Sequence, residues 1–250
     1  MITIIRRVRI FISRMISLVE FKVKHPNVRI INPLMVGKYY SQDGQDLFLS
    51  SLLFNEIKKN KINNIVDIGC NDPVKFSNSL FFEQVFSCNT LAIDPLIEFK
   101  EKWKNNRPNA TFINCAVGSS LGFVVIEVPI NDKSDNMLSS VQGATSKSTA
   151  LEHENRKVEC RTVSSILSEH EFNQVLLMSI DVEGFEMEAL KGIDFESSSI
   201  KCLCIENNSS KLYGDEEIRE FLKNKGYYFV ARIGTLDDVY IHRTVKQGYL

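Results

Sequence analysis

The sequence predicts an α/β fold, a mostly parallel β-sheet with helices on both faces and an antiparallel hairpin at its C-terminal end. Three observations predict it. From about residue 41 to residue 226, short apolar runs alternate with segments of helical spacing, the pattern that builds strand–helix–strand crossovers. The chain has 250 residues with 44% apolar and 24% charged side chains, 12 Gly and 6 Pro. That is enough to bury a large single core, and it excludes disordered and collagen-like classes. The last two apolar runs follow one another with no helix between them, which makes them a hairpin.

Each element follows in order. Leu47, Phe48, Leu52, Leu53 and Ile57 recur at helical spacing, and NNIVDIG is then a short buried strand ending in a glycine turn. Residues 77–87 return to helical spacing, followed by strand TLAIDP, helix EFKEKWKNN, and strands ATFINCAVG and GFVVIEVPI. Residues 131–156 form the one long irregular stretch, rich in Ser, Thr, Asn and Asp; a loop of that length in a compact domain is usually functional. Its Asn136, Ser139, Gln142 and His153 are placed as a lid over the ligand face. The alternation resumes with strand KVECRTV, a short helix at residues 165–170, strand QVLLMSID, helix GFEMEALKG, strand IKCLCIEN, helix GDEEIREFLKNKG, and the closing strands YYFVARIG and DVYIHR.

Charge divides the chain. Residues 1–38 hold eight basic side chains and Glu20, a net of +7, which leaves −8 on the remaining 212. With a total of −1 the chain is no general binder of nucleic acid. Arg6, Arg7, Arg9 and Arg14 interrupt every uncharged run before the roughly 18 apolar residues that a membrane span needs. Residues 1–38 therefore read as a basic amphipathic arm, either lying on the domain's own surface or touching a membrane or a protein partner, ahead of a domain at 39–250. The six cysteines lack CxxC spacing and none has a metal-ligand partner among the four dispersed histidines. They read as reduced core residues, which points to a cytoplasmic protein, peripheral at the inner membrane face if the arm docks there.

Four strand ends carry polar residues where such a sheet holds its ligand, at the carboxyl ends of strands near the switch in strand order. In Asp67-Ile68-Gly69-Cys70-Asn71-Asp72-Pro73, Gly69 allows a sharp turn and close approach to a ligand. Asn71 and Asp72 stand where a dinucleotide fingerprint has glycines, which argues against a nicotinamide oxidoreductase. Asp94, 25 residues after Gly69, either accepts hydrogen bonds from ribose hydroxyls or caps the helix after Pro95. Asp181 closes an apolar strand and must face a crevice or carry a shifted pKa, whereas Glu183 and Glu186 also suit a helix N-terminus. Glu206 ends the neighbouring strand, where it can share a cation or a substrate hydroxyl with Asp181. SQDGQD at residues 41–46 is a cover over the ligand or the cap of the helix that follows.

These residues together resemble the FkbM family of S-adenosylmethionine-dependent methyltransferases over about residues 39–243. SQDGQD is similar to the family's start, NIVDIGCND to its first cofactor turn and LAIDP to its ribose strand end. SIDVEGFEMEALKGIDF is similar to its hallmark segment, with IEN after it. The resemblance implies a class I methyltransferase (Rossmann-like) sheet and O-methylation of a small-molecule or saccharide acceptor. It places Asp67, Gly69 and Asn71 by the methionine half of S-adenosyl-L-methionine, Asp94 by its ribose, and Cys115 and Ala116 by its adenine. Ser41, Gln42, Cys70, Asn78 and Pro95 complete the cofactor side. Asp181, Glu183 and Glu206 are the catalytic side, with Asp181 or Glu206 as base, or both as ligands of Mg2+. The chain departs from the family at Pro73, where Gly is usual, a substitution tolerated if it opens a helix. The alternative reading is a non-catalytic binding module of the same fold.

Overall fold

The computed structural model describes residues 39–60, 62–130, 139–142, 152–207, 216–234 and 236–245; the basic arm at 1–38 and Asn136 lie outside the described residues. The elements run α1 (Gln45–Asn60), β1 (Asn64–Ile68), α2 (Leu80–Phe86), β2 (Asn89–Ile93), α3 (Phe99–Asn106), β3 (Thr111–Ile113), β4 (Ala116–Val117), β5 (Gly122–Pro129) and β6 (Ser140–Val141). They continue with β7 (His153–Arg161), α4 (Val163–Glu169), β8 (Gln174–Ile180), α5 (Glu186–Lys191), β9 (Ser199–Glu206), α6 (Glu216–Asn224), β10 (Tyr227–Ile233) and β11 (Asp237–His242).

Seven strands form the main sheet in the order β10-β11-β9-β8-β1-β2-β3. The five from β3 to β9 pair in parallel, and β11 runs antiparallel to both β9 and β10. The chain moves outward from β1 to β3 and then returns to β8 on the other side, so the strand order reverses between β1 and β8. A crevice opens at such a point because the crossovers leave it in opposite directions.

Alternating side chains separate the two faces. Val66, Ile68, Met178 and Ile180 pack with α4, α5 and α6 through Ile166, Leu190 and Leu222. Ile65 and Leu177 pack on the opposite face with Phe48, Leu52, Phe81 and Phe82 of α1 and α2. Burial of the periodic apolar stripe is what holds each short helix to the sheet. The helix α4 also starts on a conventional cap, with the Thr162 side chain accepting from the Ser165 amide.

The expectation of one mostly parallel sheet requires correction. A second sheet, β4-β7-β5-β6, is antiparallel except between β4 and β7, so the molecule is a mixed α/β fold with substantial antiparallel content. It takes the predicted strand 110–118 apart: β3 joins the main sheet and β4 the second. It also claims part of the supposed loop 131–156, since β6 and the first half of β7 lie there. A third apolar cluster, with Phe99, Trp103, Ile126 and Val128, fills the space between α3 and this sheet. Among the described residues no helix is long and apolar enough to cross a membrane.

Candidate active site

The reversal point is lined by a cavity of about 380 Å3, within the range of small-molecule sites. At the end of β1, Gly69 has φ +74°, and a Cβ there would lie 1.7 Å from the Asp181 carbonyl oxygen. The Asp181 amide donates to the Ile68 carbonyl at 3.0 Å. Glycine is thus required by the neighbouring strand end rather than by close approach of a ligand: the turn lets β8 deliver Asp181 beside β1.

Asp94 directly follows β2 and is buried. Its Oδ2 accepts from the Asn71 amide at 3.0 Å and its Oδ1 from the Leu96 amide at 2.8 Å. It therefore closes a turn and pins the β1 loop; α3 begins only at Phe99, so Asp94 is not that helix's cap. Burial raises its pKa to about 6 against the opposing effect of the two amides. Asp67 is also buried, accepts from Ser79 Oγ at 2.5 Å, and has its pKa raised by burial. Residues 71–79 form no helix; α2 starts at Leu80. Pro73 consequently does not occupy a first helical position. Asn78 reaches across this loop, where its Nδ2 donates to Ser179 Oγ at 3.0 Å. Its Oδ1 is buried with no partner among the described residues.

Carboxylates crowd the far wall. Ligand oxygens of Asp181, Glu183 and Glu206 lie within 4.8 Å of one another, held by the ends of β8 and β9 and by the turn between β8 and α5, where Glu183 has φ +52°. Burial and the neighbouring negative charges raise Asp181 well above the usual carboxylate range and Glu206 to about 8. Glu186 turns back to accept from the Val182 and Gly184 amides at 3.1 and 3.0 Å, so it orders the turn that carries Glu183.

A fourth carboxylate was missed in the sequence. Asp237 pairs directly opposite Glu206, is buried, accepts from Gln45 Nε2 at 2.7 Å, and has its pKa raised to about 6 by burial. It opens an antiparallel strand, so it reaches the ligand end of the sheet from a strand's amino end, where a search of carboxyl ends does not look. Its signal is the hairpin itself.

Gln42, Asp67, Gly69, Cys70, Asn71, Asn78, Asp94, Pro95, Cys115, Ala116, Asp181, Glu183 and Glu206 all line the cavity. Ser41 does not: it is buried behind it, with its amide and Oγ donating to Asp46 at 3.1 and 2.5 Å. Asp46 thereby fastens residues 40 and 41 to the start of α1, while Gln42, Asp43 and Gln45 face the cavity. From the expected lid, Ser139 reaches the wall, whereas Gln142 and His153 stand outside the lining. The six cysteines are free and buried.

A family model described as the methyltransferase FkbM domain matches residues 67–229. The chain belongs to the FkbM methyltransferase family. No curated protein matches it. The FkbM match begins at Asp67 and covers the β1 turn, Asp94, the segment from Asp181 to Glu186 and Glu206. It leaves Gln45 and Asp237 outside, so these two cavity residues are features the FkbM domain match does not cover. The chain is accordingly a methyltransferase, with its polar residues gathered at the sheet's reversal point.

Proposed function

We propose that the chain transfers a methyl group from S-adenosylmethionine to a hydroxyl of a saccharide or another small metabolite in the cytoplasm. The observation that carries this reading is one cavity holding two unlike ends: the Asp67, Asn78 and Asp94 side with the apolar Cys115 and Ala116 beyond it, and the carboxylate wall of Asp181 and Glu206. The residues fit the donor. Asn78 Oδ1 is a buried acceptor in want of a donor, as an ammonium would supply. Both oxygens of Asp94 keep a further lone pair for ribose hydroxyls. Seven strands ordered with a reversal beside β1 also support the class I methyltransferase arrangement for the main sheet.

When bound, the donor brings a methyl on a positively charged sulfur, already activated for in-line displacement. The protein's part is to hold an acceptor oxygen in line, about 3 Å from the carbon it attacks. Asp181 and Glu206 share protons because their charges oppose one another. The ionised member accepts the acceptor hydroxyl's proton as the new bond forms. A second reading rests on the convergence of Asp181, Glu183 and Glu206: the three hold Mg2+, which lowers the hydroxyl's pKa. Activity that survives chelation by EDTA discards it. Residues 1–38 serve in this reading as a contact to an anionic membrane or a protein partner.

Calorimetric titration with S-adenosylhomocysteine tests the donor, with NAD as control. Micromolar binding is expected, weakened at least about tenfold in Asp94→Ala, with none for NAD. A folded protein that binds no S-adenosylhomocysteine would instead be the non-catalytic module.

A further inference from the structure

We propose that Arg107, outside the cavity, is the positioning residue that sets the donor loop 71–79 and aims Asn78 and Asp67 at the amino-acid half of the donor. The inference rests on the donor reading above. Arg107 follows α3 and its side chain is fully buried. Its Nε and Nη2 donate to Glu83 Oε2 at 2.9 and 2.7 Å. Its Nη1 donates to the Pro73 carbonyl at 3.4 Å, to Ser77 Oγ at 3.2 Å and to Ser79 Oγ at 3.0 Å, and Nη2 also reaches Thr90 Oγ1 at 3.0 Å. Ser79 in turn donates to Asp67. The guanidinium lies over the Trp103 ring, 4.4 Å from its centroid, and Trp103 Nε1 donates to the Asn71 carbonyl at 2.8 Å.

The loop needs such an anchor. Between Gly69 and α2 it has no helical hydrogen-bond ladder, and Pro73 contributes no amide. What fixes it instead are the Asp72 turn, which accepts from the Val74 and Lys75 amides, a single backbone bridge from Phe76 to Ser41, and side chains from elsewhere. Arg107 supplies five N–H donors in a rigid plane: Nε and Nη2 serve Glu83 and Thr90, and the two N–H of Nη1 are shared among Ser79, Ser77 and the more distant Pro73 carbonyl. Asn78 lies between Ser77 and Ser79, both held by the same nitrogen, so Arg107 fixes the backbone from which Asn78 reaches Ser179 and the cavity. Lysine keeps the charge but has three donors and no plane, and cannot reproduce the set.

The test compares S-adenosylhomocysteine with 5′-methylthioadenosine, which lacks the amino-acid half, by calorimetry on the full chain and on Arg107→Lys and Ser79→Ala. The wild type is expected to bind S-adenosylhomocysteine at least about tenfold more tightly. Both variants should cut that preference to about threefold or less while holding methylthioadenosine within about twofold, the scale of one or two misplaced hydrogen bonds. Ser79→Ala removes a single oxygen and keeps the test open if Arg107→Lys does not fold. A preference retained in both variants overturns the proposal, as does proportional weakening of both ligands, which is what partial unfolding gives. A wild type that binds neither ligand, or shows no preference, overturns the donor reading and this proposal with it.

Discussion

Asp181 and Glu206 bring two acidic side chains together in the crevice, Glu206 buried and Asp181 on its open side. A buried carboxyl resists ionisation, and a second one beside it resists more; both residues are raised for those two reasons, with burial first. The pair therefore keeps a proton at neutral pH that isolated carboxyls would have lost. Catalysis by the ionised form then gains as pH rises toward about 8, and the rate with saturating donor should climb across pH 6–8 and level above it. A flat pH–rate profile over that range would remove Glu206 from the proton path. Asp181→Asn keeps shape and loses basicity, so the transfer rate should fall by roughly a hundredfold or more with S-adenosylhomocysteine affinity kept within a fewfold. Full activity of that variant would dismiss Asp181 as the base.

Strand ends, rather than strands, differ most between what the residue pattern announces and what the chain builds. The turn after β1 carries a glycine whose missing Cβ makes room for the backbone of β8, so Gly69→Ala should push Asp181 out of place. A contact of 1.7 Å cannot relax without moving backbone, and φ +74° adds strain for any L-residue. The expected result is a loss of stability of about 2 kcal/mol or more in denaturant melts, with methyl transfer reduced more than donor binding. Unchanged stability would mean that the two strand ends can separate freely. The parallel strands were legible because β1, β2, β8 and β9 are buried on both faces over most of their length and so read as largely apolar runs. The second sheet was legible only in part: β5 and the second half of β7 were read as strands, but not β4, β6 or their assembly into a sheet of their own. Its longest strand, β7, has charged residues along a largely solvated surface, and β4 and β6 have two residues each, too few to show a period. Asp94, Asp181 and Glu206 could be found because parallel strands all end on one side; Asp237 and Gln45 come from an antiparallel strand and a helix start, which that rule passes over.

Taken through the whole molecule, the acids in and around the crevice bias stability toward mildly acidic solution. Asp67, Asp94, Asp237, Glu186 and the Asp181–Glu206 pair all have folded pKa values above their ordinary ones, with burial the first cause in each. For such a group the folded state holds more protons than the unfolded chain between the two pKa values, so stability falls as pH rises through that window. The window opens near pH 4 and closes near pH 8 for Glu206. Glu98, Glu169, Glu188 and Asp194 are lowered, chiefly through partners such as Arg156, Arg161 and Lys191, and their contribution disappears only as pH drops below about 4. His242 is lowered by burial and opposes the trend below its ordinary pKa, one group against six. The melting temperature should thus peak near pH 5 and decline toward pH 8.5, when scanned at constant ionic strength. Glu206→Gln isolates one of the large contributions. At pH 5 the wild-type side chain is protonated and nearly isosteric with the amide, so the two proteins should melt within about a degree or two of each other. At pH 8.5 the wild type holds an extra buried charge and the variant does not; each kcal/mol relieved raises the midpoint by about 2–4 °C in a chain of this size. A variant that melts lower than the wild type at pH 8.5 would show that Glu206 is stabilised as an anion, and would turn the assignment from shared proton to bound cation.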